Sequence, residues 1–209
     1  MEFDDFSNDE ELIPESIQGF IKEEVRRTID PILFEDPETA EFNEELLGDY
    51  KKYQYLFLSW FNITMQSGKV LYAGSGFDSL PKLIFGEDKI VHTSLEQYRG
   101  DTENYFTQLG DGLKVVADNI KLPFQGRAFD TVLFFGLSQD SVQEQLPESI
   151  RTLKVGGYVV CDSTILNETD LSPYLTDFEK IEVPVRFQSE GMSEAKFFVY
   201  KKLTEFPSN

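Results

Sequence analysis

The stretch KVLYAGSGFD, residues 69–78, decides how the rest of the chain is read. Its apolar run Val70, Leu71, Tyr72, Ala73 stops at Gly74 and Gly76, the pattern of a buried strand entering a tight turn. Glycines there open backbone conformations closed to other residues and let a ligand approach the main chain, as in the nucleotide loops of doubly wound α/β folds. Turns of this kind also serve purely structural ends, so two glycines alone leave both roles open.

Downstream, residues 78–85 predict a short helix with Pro81 near its start and Gly86 closing it. KIVHT (89–93) reads as a second strand containing His92, the single histidine, which is expected to pack rather than act as a base. Residues 97–112 are polar and broken by glycines, which predicts an irregular crossover. Residues 113–117 make a third strand ending in Asp118, and residues 131–135 a fourth, entered through Phe129 and Asp130. Val142, Leu146, Ile150 and Leu153 fall on the buried face of a helix expected to end at Gly156 and Gly157. YVVCD (158–162) is the fifth strand, with Cys161 as a small buried hydrophobe. Strands joined by helical crossovers in this order give a parallel sheet. Residues 180–187 and 196–202 alternate and predict a terminal antiparallel pair.

Upstream, residues 1–15 are densely acidic, contain Pro14 and read as a flexible tail. Ile17, Phe20, Ile21 and Val25 recur at helical spacing, and Asp36–Pro37 provides a cap and first-turn proline for a second helix. Within it Leu46, Tyr50, Tyr53, Phe57 and Trp60 form one stripe, which either covers the sheet or folds over the strand ends as a lid; the polar tips of the tyrosines suit the second role. The expected organisation is a helical extension or lid at 16–66 ahead of one α/β domain at 67–203.

Charge narrows the partners. The chain has 209 residues, 19 basic against 38 acidic, and a net charge of -19. Its basic residues group only in pairs (Arg26–Arg27, Lys51–Lys52, Lys201–Lys202), which disfavours nucleic acid and anionic membranes. One cysteine and one histidine exclude an internal disulfide and leave only carboxylates as metal ligands, so no metal site is expected. The acidic amino terminus lacks the apolar core of a signal peptide, and the longest apolar stretch, residues 56–63, is too short to span a bilayer. A reducing, cytoplasmic location is expected.

Three separated segments together carry more than the glycine loop does. LYAGSG (71–76), VVADNIKLPFQGRAFDTVLFF (115–135) and IRTLKVGGYVV (150–160) stand in an order and spacing that resembles the class I S-adenosylmethionine-dependent methyltransferases, in particular the type 11-like domain with a degenerate first motif. The resemblance spans residues 69–202. It implies a Rossmann-like seven-stranded sheet, mostly parallel with an antiparallel last strand, helices on both faces, and S-adenosylmethionine across the carboxyl ends of the first, second and fourth strands. By position, Tyr72, Ala73, Gly74, Ser75 and Gly76 form the cofactor loop, with the two glycines against the methionine part. Asp118 matches the acid that contacts the adenine amino group, Asn119 and Ile120 wall the ring, and Phe135 closes the fourth strand.

The departures bear on the same site. The family usually has an acid where this chain has Tyr72 and a third glycine where it has Asp78. The ribose acid aligns with Ser94; Glu96, two residues on, is either the ribose ligand or a solvated charge. Methyl transfer needs positioning more than a catalytic triad, and no triad is found. FFGLSQ (134–139) lacks the NPPY-type signature, which points to a small-molecule acceptor, with Tyr50, Tyr53, Ser138, Gln139 and Asp162 as contacts. The competing reading is a methyltransferase-fold protein without chemistry that serves as a binding or scaffold subunit, as a homodimer or beside a partner subunit. A nicotinamide site fits less well, because Ser79 stands where the third glycine of its fingerprint belongs.

Overall fold

β1 (Val70–Ala73) is buried along its whole length and lies between β2 (Ile90–Ser94) and β4 (Phe129–Phe134), both parallel to it. A strand covered on both faces needs a continuous apolar run, and VLYA supplies one. The structure is a computed structural model that describes residues 13–29, 37–76, 78–94, 112–162, 171–187 and 196–204, in backbone only at 27–29, 37–45, 139 and 172. Residues 1–12 and 95–111, which include Glu96 and all of the expected crossover but Gly112, lie outside the described residues.

Helices α1 (Glu15–Ile29) and α2 (Pro37–Met65) precede the sheet, α3 (Leu80–Phe85) follows β1, and α4 (Gln139–Thr152) links β4 to β5 (Leu153–Asp162). With β3 (Leu113–Val116), β6 (Phe178–Ile181) and β7 (Phe197–Lys202) the strands form one sheet in the order β3-β2-β1-β4-β5-β7-β6. β7 runs antiparallel to both β5 and β6, and the pairs from β3 to β5 are parallel. The seven strands, with the last one reversed, bear out the Rossmann-like expectation.

Alternation along the strands sorts side chains between two layers. Leu71, Ala73, Val132, Phe134, Val159 and Cys161 face Val142, Leu146 and Ile150 of α4. Val70, Tyr72, Ile90, Leu133, Val160 and Phe197 face Phe57, Leu58, Trp60 and Phe61 of α2. The Phe57 and Phe197 rings stack with centroids 4.1 Å apart at 5°. α1 packs through Ile21 and Val25 on Leu80 at the start of α3. Ile13 is buried as well, and its carbonyl accepts a hydrogen bond from Gln18 Nε2 at 3.0 Å.

Four expectations need correction. Leu153 is not on the helix: α4 stops at Thr152, and Leu153 opens β5 opposite Phe129. The next pairing is Thr131 with Tyr158, so Gly156 and Gly157 sit in a bulge of the strand and do not end the helix. The antiparallel segment expected over 180–187 ends at Ile181, since Pro184 accepts from the Phe187 amide and Val185–Phe187 turns as a 3-10 helix. Leu46 leaves the aromatic stripe at 43% exposure, and Leu47 packs on the α1 cluster in its stead.

Candidate functional site

The carboxyl ends of β1, β2 and β3 form the candidate site. Beyond β1 the chain turns at Gly74 and Gly76, with φ of +65° and +51°, a region that side-chain-bearing residues rarely enter. The turn is pinned by Ser75 N donating to Thr93 O (3.1 Å) and Asp78 N donating to Ser75 O (2.9 Å). A Cβ at Gly76 would meet nothing within 4 Å among the described residues.

Asp78, at the far side of the loop, turns its carboxylate toward α2. Oδ1 takes Lys51 Nζ at 2.7 Å and the Leu80 amide at 3.2 Å; Oδ2 takes the Tyr72 hydroxyl at 2.5 Å and Gln54 Nε2 at 2.9 Å. Four donors fill the roughly four acceptor sites of a carboxylate. Burial pushes the Asp78 carboxyl up, and the Lys51 ammonium with the hydrogen bonds from Lys51, Tyr72 and Gln54 overcomes this, so the group stays below its ordinary value of 3.8. Beside it, Glu24 of α1 accepts from the Ser79 amide (2.5 Å) and hydroxyl (2.9 Å); burial outweighs the Lys51 charge and raises its carboxyl.

Asp162, at the end of β5, lies in the same region. Its Oδ2 accepts from the Tyr50 hydroxyl and from the Gly136 amide at 3.2 Å. Burial, then the neighbouring carboxylates, push both the Tyr50 and Tyr72 phenols well above 10, so each remains a donor. Glu24 and Asp78 thus lie at the Lys51 ammonium, and Asp162 lies at the Tyr50 and Tyr72 phenols. Two further polar atoms are buried here without a hydrogen-bond partner among the described residues, Gln54 Oε1 and Ser75 Oγ.

The end of β3 supplies the second half. Asp118 is exposed and its Oδ1 accepts from the Ile120 amide at 3.0 Å, so the carboxylate is held by its own turn. Ile120 is 54% exposed, an apolar face at the mouth, whereas Asn119 is buried and its Oδ1 has no partner among the described residues. Ser94 O accepts from Ala117 N at 3.2 Å, which brings the ends of β2 and β3 together. The LPF segment acts as a staple below this turn. The Leu122 amide donates to Glu148 Oε1, Arg151 Nη2 donates to the Phe124 carbonyl at 2.8 Å, and the Phe124 ring meets Phe129 edge-on.

The other expected contacts disperse. Tyr72 and Ala73 are buried with β1, and Phe135 is edge-on to Tyr72 beneath α2. The Tyr53 hydroxyl donates to the Arg186 carbonyl and its ring packs on Phe187 and Phe197. Ser138 caps α4, accepting from the Ser141 amide at 3.3 Å; Gln139 is the first residue of that helix. His92 pairs with Tyr72 across β1 and β2, and burial, with Lys82 and Lys114 adding and Asp78 opposing, lowers it to about 4. Among the described residues no group of His, Cys, Asp and Glu is arranged to hold a metal ion.

Sequence reasoning missed Lys51, Gln54 and Glu24. Lys51 counted only as half of a basic pair, and the available signal was Asp78 itself, a carboxylate where a glycine was expected.

No family model matches the sequence, and no curated protein matches it either. Solved structures do. The chain superposes on an inferred O-methyltransferase from Klebsiella pneumoniae with a TM-score of 0.61 at 11% identity, over 93% of each chain. It matches the N-methyltransferase NodS from Bradyrhizobium japonicum (TM-score 0.53, 12% identity, 75% of this chain and 97% of that one). A S-adenosylmethionine-dependent methyltransferase from Clostridium acetobutylicum gives 0.53 at 14%, over 74% and 92%. The chain has the class I methyltransferase fold. Among the described residues no helix is long and apolar enough to cross a membrane.

Proposed function

We propose that the chain is a S-adenosylmethionine-dependent methyltransferase acting on a small-molecule acceptor. The observation that carries this is the placement, at the ends of β1 and β3, of a glycine loop and of two buried polar atoms that have no hydrogen-bond partner among the described residues, Ser75 Oγ and Asn119 Oδ1. Those atoms and the glycine loop fit a polar, flat ligand laid across the strand ends. When bound, the cofactor supplies an electrophilic methyl group on its sulfonium. Asp118 accepts from the adenine amino group, Asn119 and Ile120 flank the ring, and Gly74 and Gly76 admit the methionine end. Tyr50, Tyr53, Ser138 and Gln139 are proposed to bound the acceptor side. Such a site works by orientation and exclusion of water. Glu96 is proposed as the ribose contact.

A second reading is favoured by one feature. Tyr72 and Asp78 satisfy each other and Lys51, as they would in a scaffold that no longer takes the cofactor. Calorimetry with S-adenosylmethionine and S-adenosylhomocysteine separates the two, run beside Asp118→Ala and with NAD as control. Micromolar binding that the variant loses is expected; silence at millimolar cofactor overturns the enzyme reading.

A further inference from the structure

We infer that Asp78 is the carboxylate that receives the ligand's primary ammonium in this chain, and that Lys51 of α2 holds its place until the ligand arrives. This rests on the cofactor reading above. Position 72 carries a phenol that stays protonated and has no charge to match an ammonium; it orients Asp78 through a 2.5 Å hydrogen bond. Asp78 is therefore the carboxylate of the loop. Its acceptor sites are full, so a second ammonium can enter only by displacing a donor.

Lys51 is the donor that can leave. The Leu80 amide and Tyr72 are fixed in the α3 turn and in β1, whereas the Lys51 ammonium ends a flexible four-carbon stem. Exchange of one ammonium for another keeps the charge of the buried cluster constant, which avoids stranding a carboxylate away from water. Glu24 lies beside the Asp78–Lys51 pair, its carboxyl acted on by both of their charges. Gln54 Oε1, buried one turn from Lys51 with no partner among the described residues, is an acceptor ready for the incoming N–H. Tyr50, Lys51 and Gln54 lie on one turn of α2, so release of Lys51 loosens that turn, a latch made by the helix's own lysine, while the Phe57 face of α2 stays on the sheet.

The latch lowers apparent affinity by the fraction of molecules in which it is closed. Two ligands isolate its effect: S-adenosylhomocysteine, which carries the ammonium, and 5′-methylthioadenosine, which keeps the adenosine and lacks it. Lys51→Ala is expected to tighten S-adenosylhomocysteine about tenfold, in the usual range of coupling, and to leave methylthioadenosine unchanged. Lys51→Gln, which keeps a donor and loses the charge, should do the same if the alanine variant folds poorly, and Lys52→Gln should do neither. In the unmodified protein, hydrogen exchange over residues 46–58 should rise with S-adenosylhomocysteine and not with methylthioadenosine. Equal effects on both ligands, weaker binding in both Lys51 variants, or protected exchange in α2 would overturn the latch. If neither ligand binds, the cofactor reading itself fails; if both bind and the contrast is absent, only the latch fails.

Discussion

At the scale of single residues, burial separates ion pairs that matter from those that do not. Lys51 and Asp78 are 7% and 11% exposed as side chains, while Lys154 and Asp130 are 44% and 32% exposed. Asp78→Asn strands the Lys51 charge and is expected to cost about 3 kcal/mol, with Glu24 nearby keeping the loss at the lower end for a broken buried pair. Asp130→Asn should cost under about 1 kcal/mol. Urea unfolding of both variants checks this, and equal losses would refute the ranking. His92 sets a pH dependence. Its folded value of about 4 lies below the ordinary 6.5, so on acidification the unfolded chain takes the proton first. Stability is complete above about pH 6.5 and declines as the pH falls toward 4, by about 3 kcal/mol in all. Glu24, raised, acts with the opposite sign from about 4.5 upward, and Asp78, lowered, adds its loss only below 3.8. His92→Gln should flatten the decline between pH 6.5 and 4.5; an unchanged slope in denaturation curves would assign it to other groups.

At the scale of elements, α2 is held to the sheet by aromatic stacking more than by its polar latch. Phe57 is fully buried and stacks on Phe197, with Trp60 and Phe187 at its edges. Phe57→Ala is expected to cost about 4 kcal/mol, and Leu46→Ala, at an exposed position, less than about 0.5 kcal/mol. Chemical denaturation of the pair measures both, and a small loss at Phe57 would show that α2 contributes little to the folded state. The same contrast separates docking from latching: Lys51 variants should alter ligand affinity while the aromatic interface still holds the helix.

For the whole molecule, charge is the dominant long-range property. A net charge of -19 on one folded unit repels itself, and added salt shortens the reach of that repulsion from about 30 Å at 0.01 M to about 8 Å at 0.15 M. The melting temperature is expected to rise over that range of sodium chloride. A fall would mean that ion pairs such as Lys51–Asp78 outweigh the overall repulsion.

The sheet was legible in the sequence because its signals are local. Val70 to Ala73, the Gly74–Gly76 turn, and the spacing from Asp118 through Leu122 to Asp130 depend on neighbours a few residues away, and they suffice for the strands and for the loops at the strand ends. The resemblance built on those segments led to the fold that the solved structures share. Boundaries were less legible where a tertiary partner decided them: Leu153 joined β5 because Phe129 offered a strand to pair with, and β6 ended early because Pro184 cannot continue a ladder. The site was legible only in part. Asp118 and the glycines stood out as a pattern, but the cluster of Glu24, Lys51, Asp78 and Asp162 draws on α1, α2, the glycine loop and β5. No periodicity encodes such a meeting. It follows from the angle at which the Phe57 face of α2 lies on the sheet, and a side chain's charge partner is fixed only once that packing is made.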